Sequence, residues 1–460
     1  MKVEQIYTGC LAQGAYYIIS NGEAAIIDPL RETKPYLERL QRDGVKLKYI
    51  FETHFHADFV SGHLDLSKAT GAPIVYGPTA QPNFEAIIAT DLQQFKLGNI
   101  TLKVLHTPGH TMESSTYLLL DENNKEHAVF TGDTLFIGDV GRPDLAQKAT
   151  GMTQEMLASH LFHSLRKKIM ALPDHVIVYP GHGAGSACGK NMSKETVSTV
   201  GEQKHQNYAL KVEMSEDQFI KEVTDGLTAP PGYFGMNVAM NKQGYAAIDK
   251  VLSDGLKALK VGEVKSIVEQ VGAVILDTRD SEVFSKGFIP RSINIGIEGG
   301  FAPWVGAIIK DISTKILLVC DKGTENQAIM RLSRVGFDNV KGYLKGGFEV
   351  WKKSNQTINS IESISPTNLK EIISPKISLI DVRTKNERNK GCLKTSQNIP
   401  LNIIDLNTKK LNKSTDHYIH CAGGYRSMIA CSILKRLGFD SLLDISGGFA
   451  EIRKAGFKIH

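Results

Sequence analysis

Four times in the first part of this chain, a short apolar run gives way to a loop bearing histidine or aspartate. The runs at 47–51, 100–106, 128–130 and 176–179 lead into Thr53-His54-Phe55-His56-Ala57-Asp58-Phe59, Thr107-Pro108-Gly109-His110-Thr111, Thr131-Gly132-Asp133 and Pro180-Gly181-His182-Gly183. A strand ends rigidly where a loop begins freely, so side chains set at strand ends can converge on one point. Imidazole and carboxylate together suit zinc, iron or manganese. One such loop arises easily by chance. Four of them, with this chemistry, require a metal cleft along the edge of a sheet.

Between these loops, strand and helix patterns alternate. Tyr16-Tyr17-Ile18-Ile19 and Glu23-Ala24-Ala25-Ile26-Ile27 pair as a hairpin about Ser20-Asn21-Gly22. Residues 34–43 have helical spacing, with Tyr36, Leu37 and Leu40 on one face. Ala229-Pro230-Pro231-Gly232 and the Gly and Asn that follow, to 245, read as an ordered connector.

The chain has 460 residues, more than one ordinary core holds, so about two to four domains are expected. No apolar run approaches the roughly eighteen residues of a membrane span. Met1-Lys2-Val3-Glu4-Gln5-Ile6 lacks the basic and apolar regions of a signal peptide. The net charge of +5 comes from scattered basic residues, which gives no footing for nucleic acid. Six cysteines (Cys10, Cys188, Cys320, Cys392, Cys421 and Cys431) show no paired spacing. A cytoplasmic chain with reduced thiols is the expectation, and single cysteines become candidates for chemistry.

His54-x-His56-x-Asp58, followed by His110, Asp133 and His182, resembles the metallo-β-lactamase fold over roughly residues 1–245. The resemblance implies an αββα sandwich with its site at the sheet edges. Hydrolases of this fold usually bind two metals, the second using the aspartate and a histidine directly after it. Here Asp58 is followed by Phe59, which cannot ligate. The sequence is most similar to the persulfide dioxygenases, relatives of glyoxalase II that use one Fe(2+), although members of that family carry histidine at the place of Phe59. That resemblance implies His54, His110 and Asp133 as the metal ligands, with His56, Asp58 and His182 supporting them by hydrogen bonds. Gly141-Arg142-Pro143-Asp144 also looks like this family and implies Arg142 at the thiol-substrate site, unless it serves a salt bridge with Asp144 or Asp139. Cys188, on a Gly-rich loop just past His182, is a candidate for binding or relaying a persulfide.

From about 258 the chain repeats itself at an offset of about one hundred residues. Asp277-Thr278-Arg279 matches Asp381-Val382-Arg383, Cys320 matches Cys421, and Gly346-Gly347-Phe348 matches Gly447-Gly448-Phe449. These are two copies of one α/β domain, joined by a Ser- and Asn-rich linker at 354–365. Domains are therefore expected at 1–245, 246–357 and 358–460. Cys421-Ala422-Gly423-Gly424-Tyr425-Arg426-Ser427 precedes a helix. Backbone N–H groups and the positive helix end favour a thiolate or persulfide there. This loop resembles the rhodanese active site, which implies Cys421 and Arg426 as catalytic. In Cys320-Asp321-Lys322-Gly323-Thr324-Glu325-Asn326, Glu325 stands where Arg426 does, and the added negative charge disfavours an anionic sulfur. That copy is expected to be degenerate.

Joined, the resemblances imply that a low-molecular-weight thiol persulfide and O2 give sulfite, and that Cys421 passes a second sulfur to sulfite to make thiosulfate. The implied role is sulfide detoxification, with no membrane or nucleic-acid partner and a homo-oligomer left open. The other expectation is a zinc thioester hydrolase of the glyoxalase II kind, with His56 a ligand.

Overall fold

The expected hairpin closes on Asn21 and Gly22, whose φ angles of 45° and 79° suit a tight turn between twisted strands. It belongs to the first of two six-stranded sheets. That sheet runs in sequence order: Lys2–Thr8, Gln13–Ser20, Glu23–Ile27, Lys46–Phe51, Ile74–Tyr76 and Ile87–Ile88. The second sheet is ordered Ser198–Thr199, Ile177–Pro180, Glu126–Gly132, Ser115–Leu120, Ile100–His106 and Gln94–Leu97. The computed structural model describes residues 1–147, 151–227, 229–374 and 377–460.

Alternation places one apolar face of each sheet against the other. Tyr16, Phe51, Phe95, Tyr117 and Phe130 fill the layer between them, with Phe51 and Tyr117 ring centroids 4.8 Å apart. Each such ring contributes about 1.5–3 kcal/mol by leaving water. The outer faces are covered by helices. Tyr36 and Leu40 of helix Lys34–Asp43 pack on one sheet, and Ala158, Leu161 and Phe219 on the other. Helix Lys34–Asp43 starts with a proline in its first turn and ends at Gly44, in the left-handed region. This is the expected αββα sandwich. The strands carrying the four loops end along one edge of it.

The chain divides into two compact units. One is Met1–Ile248 with Ser333–Gly336; the other is Asp249–Leu332 with Phe337–His460. The second unit contains both repeats. Each has a five-stranded parallel sheet of the same topology. The orders are Ala258–Leu259, Val340–Leu344, Ile316–Val319, Val274–Asp277, Ile293–Asn294 and Glu362–Ile364, Leu442–Ile445, His417–His420, Ser378–Asp381, Gln397–Asn398. Both faces of such sheets are buried, which accounts for the fully apolar run Ile316–Val319.

Two expectations of local structure need correction. Residues 229–245 are not a connector: Phe234–Gln243 is a helix of the first unit, and its Asn237 and Asn241 are buried. The end of the Ser- and Asn-rich linker is a strand, Glu362–Ile364, at the edge of the last sheet. Polar composition suggested loops, but the Asn241 side chain is absorbed by buried hydrogen bonds. Among the described residues, no helix is long and apolar enough to cross a membrane.

Candidate metal centre and thiol loops

His54, His110 and Asp133 meet at the sandwich edge, all buried, with one ligand atom from each within 4.8 Å of the others. Asp133 Oδ2 lies 3.9 Å from His54 Nε2 and 3.5 Å from His110 Nε2. The orientation of both rings is fixed from behind. Thr53 Oγ1 is 2.8 Å from Asp28 Oδ2 and 2.9 Å from His54 Nδ1. The hydroxyl has one proton and gives it to the carboxylate, so it accepts from His54 Nδ1–H. His110 Nδ1–H donates to the Arg142 carbonyl at 2.9 Å. Each ring therefore turns its Nε2 toward Asp133. Gly141 admits this approach: a Cβ there would lie 1.9 Å from the Asp133 carbonyl oxygen.

Asp133 Oδ1 is taken by His182 Nδ1 at 2.7 Å, while His182 Nε2 meets Asp58 Oδ2 at 2.8 Å. Burial alone would lower the basicity of His182, but the two carboxylates raise it well above the usual imidazole range. Asp133, despite burial, is held far below the usual carboxylate range by the charged His182 that hydrogen-bonds it. Its Oδ2 is buried without a hydrogen-bond partner. An orphaned carboxylate oxygen facing two imidazole Nε2 atoms is a set that a cation completes, so the residues fit a bound metal.

His56 points elsewhere. Its Nε2 is 3.1 Å from Asp28 Oδ1 and 3.5 Å from Glu52 Oε2, and its ring stacks on Phe59 at 4.2 Å. Burial opposes its charge, yet the facing carboxylates push it up to about 10. Asn241 clasps the same loop from the helix that follows: its amide donates to the His56 and Phe59 carbonyls, each at 2.8 Å, and accepts the Ser61 N–H at 2.9 Å. Asp28, Glu52, Thr53 and Asn241 were missed in the sequence. A visible signal was Glu52, a charge ending the otherwise apolar run before the motif.

Arg142 and Cys188 come to the same cleft. Arg142 Nε and Nη2 bind the two oxygens of Asp144 at 2.6 and 2.7 Å, and Nη1 reaches the Ala187 carbonyl. Of the two readings of this arginine, the salt bridge with Asp144 is thus present. Cys188 lies beside Asp58 and His182. Burial, then the carboxylates of Asp58 and Asp133, pushes its thiol well up, so it is neutral near pH 7.

In the second repeat, Cys421 sits between strand His417–His420 and helix Tyr425–Arg436. The Gly424 N–H donates to its Sγ at 3.1 Å. Arg426 is held by Glu387 through two bonds of 2.7 and 2.6 Å. Glu387 also caps the helix Lys385–Asn389 by accepting from Thr384 N–H. The Asp381–Arg383 pair is buried, and Arg383 donates to the Gly391 carbonyl.

The first repeat keeps this framework and changes the loop. Arg279 binds Asp277 and the Gly287 carbonyl, and Asn294 repeats the two bonds that Asn398 makes. The Gly323 N–H, however, donates to Glu325 Oε2 at 2.9 Å. The amide that serves a thiol in one copy is occupied in the other. Burial, with Asp277, Glu325 and Asp321 adding to it, pushes the Cys320 thiol up to about 12.

A two-His, one-Asp cleft on an αββα sandwich, ahead of two parallel-sheet cysteine-loop domains, defines the class. The chain belongs to the metallo-β-lactamase superfamily, matched over residues 8–182, and carries rhodanese-like domains at 260–354 and 365–455. It is 34% identical over 163 residues to a probable hydroxyacylglutathione hydrolase of Schizosaccharomyces pombe, spanning 35% of this chain and 59% of that relative. It is 33% identical over 210 residues to the mitochondrial persulfide dioxygenase of Mus musculus, spanning 45% of this chain and 73% of that relative. The crystal structure of a metallo-β-lactamase from Staphylococcus aureus subsp. aureus COL is similar with a TM-score of 0.65 at 30% identity, covering 75% of this chain and 98% of that one.

Proposed function

We infer that the first unit is a persulfide dioxygenase with one Fe(2+) held by His54, His110 and Asp133. The observation that carries this reading is the donor set: two Nε2 atoms and one orphaned carboxylate oxygen turned toward one another, while His56 is engaged by Asp28 and Glu52. Two histidines and one carboxylate are the set of non-heme iron oxygenases. The overall reaction is RSSH + O2 + H2O giving RSH and sulfurous acid. Ferrous iron, when bound, supplies the electrons that make O2 reactive toward the persulfide. His182, charged between Asp133 and Asp58, fixes the ligand carboxylate and offsets its charge. Cys188 borders the cleft as a neutral thiol, and Arg142, neutralised by Asp144, shapes the thiol-substrate side.

Cys421 then takes sulfane sulfur from a second RSSH, releasing RSH, and the resulting cysteine persulfide gives that sulfur to sulfite. The products are thiosulfate and the free thiol. Gly424 N–H stabilises the sulfur anion, and Arg426, held in place by Glu387, borders the loop. The first repeat, with Glu325 on its loop amide, is structural. The role that follows is sulfide detoxification.

Product analysis tests the coupling. Persulfide and O2 should yield thiosulfate with the intact chain and sulfite with Cys421→Ser; equal thiosulfate from both removes it. A second reading, a zinc thioester hydrolase, is favoured by the likeness to the hydroxyacylglutathione hydrolase. Stoichiometric iron with oxygen uptake in protein purified without oxygen excludes it, while zinc with thioester cleavage excludes the dioxygenase.

A further inference from the structure

The helix Tyr425–Arg436, which begins at the Cys421 loop, is held along its length by the other repeat. Tyr425 Oη donates to the Gly296 carbonyl at 2.7 Å. Ser432 Oγ accepts the Asn294 N–H at 3.0 Å. Arg436 Nη1 donates to the Arg291 carbonyl at 2.9 Å. Position 432 lies about two turns and position 436 about three turns beyond 425, so all three side chains share one helix face. Their partners are all main-chain atoms of one short stretch, 291–296. The neighbouring glycine makes room for the ring: Gly299 has φ +126°, and a Cβ there would lie 3.2 Å from Tyr425.

This grip bears on the thiol. Gly424, whose N–H donates to Cys421 Sγ at 3.1 Å, immediately precedes Tyr425, the first helical residue. A slide or tilt of the helix therefore carries the Gly424 amide with it. Such an amide stabilises a sulfur anion only at hydrogen-bond distance. Helix starts fray when nothing holds their first turn. Here the first turn is fixed at Tyr425, and the two later contacts stop the helix from pivoting about it.

We propose that the first rhodanese repeat sets the reactivity of Cys421 by clamping this helix at Tyr425, Ser432 and Arg436, with Tyr425 the positioning residue for the Gly424 amide. The clamp rests on the reading of Cys421 as the sulfur-bearing thiol, and it gives a repeat whose own loop amide is occupied by Glu325 a second use. Nothing in the clamp touches the reacting sulfur directly, so its effect is read through the thiol.

The test uses the full chain. Tyr425→Phe removes the Oη donor and keeps the ring; Ser432→Ala removes the second contact two turns from the loop. Alkylation by iodoacetamide, followed at Cys421 by peptide mass spectrometry, is measured across pH. One hydrogen bond's worth of positioning lowers the Tyr425→Phe rate at pH 7 about fivefold and displaces the pH–rate profile upward. Ser432→Ala moves both in the same direction by less. Profiles of both variants that superimpose on the wild type overturn the proposal. Sulfur transfer to cyanide by the wild type is measured alongside. If that transfer is absent while the alkylation shift persists, the clamp stands and the sulfurtransferase reading falls.

Discussion

Replacing His56 by alanine separates the two metal arrangements. In this structure the imidazole lies between Asp28 and Glu52, at 3.1 and 3.5 Å, and all three groups are buried. Alanine leaves two buried carboxylates facing one another with no cation between them. Removing one partner of a buried ionic cluster costs about 3–5 kcal/mol. For a unit of this size, each kcal/mol moves the melting point by about 2–4 °C, so the first unit should melt roughly 6–20 °C lower. Its metal should stay. His110→Ala, by contrast, removes an Nε2 that faces Asp133 and should abolish stoichiometric metal. The assay pairs calorimetric melting with metal analysis of protein purified without oxygen. If His56→Ala loses its metal and keeps its melting point, His56 is a ligand and the mononuclear reading fails.

Asn241→Ala strips three hydrogen bonds from the loop between His56 and Ser61, and should weaken metal affinity about 10–100-fold in competition with a chelator. Cys320, pushed up to about 12, is thiolate in only about one molecule in ten thousand at pH 8, so peptide mapping should find Cys421 alkylated long before it. His420 is pushed down to about 4 by burial, against the pull of Asp381. Keeping it neutral therefore adds stability above its unfolded value of about 6.5, and that stability is lost as pH falls from there to about 4, by about 2–3 kcal/mol. Urea midpoints of the intact chain should drop over that range, and His420→Asn should flatten the drop; equal slopes for both proteins refute the assignment.

The αββα sandwich and the duplicated α/β domain were legible because each is written in period. Apolar runs end in ligand-bearing loops, and landmarks recur at a constant spacing. The residues that meet at the candidate metal site were legible for the same reason, since a strand end says where a side chain starts. What the sequence hid was direction. His54 and His56 lie two positions apart, yet one ring faces Asp133 and the other faces Asp28 and Glu52. That choice is made by a carboxylate from the turn after Glu23–Ile27 and by the last residue before the motif, and neither carries a ligand signature. Asn241 was hidden because a buried, satisfied amide and a surface loop amide are the same letter. The exchange of Arg426 for Glu325 was visible as a charge reversal. Its consequence, an acid occupying the Gly323 amide, needed the backbone.

The clamp on the Cys421 helix grips only main-chain atoms of the neighbouring repeat. Arg291, Asn294 and Gly296 contribute two carbonyls and an N–H to it. A contact of this kind is indifferent to most side-chain replacements on the gripped side, provided the chain keeps its path. Drift in the side chains of the gripped stretch therefore costs the second repeat little while the chain path is kept. Across descendants of this gene, the gripping positions 425, 432 and 436 should change together and seldom, while the exposed side chain at 291 changes freely.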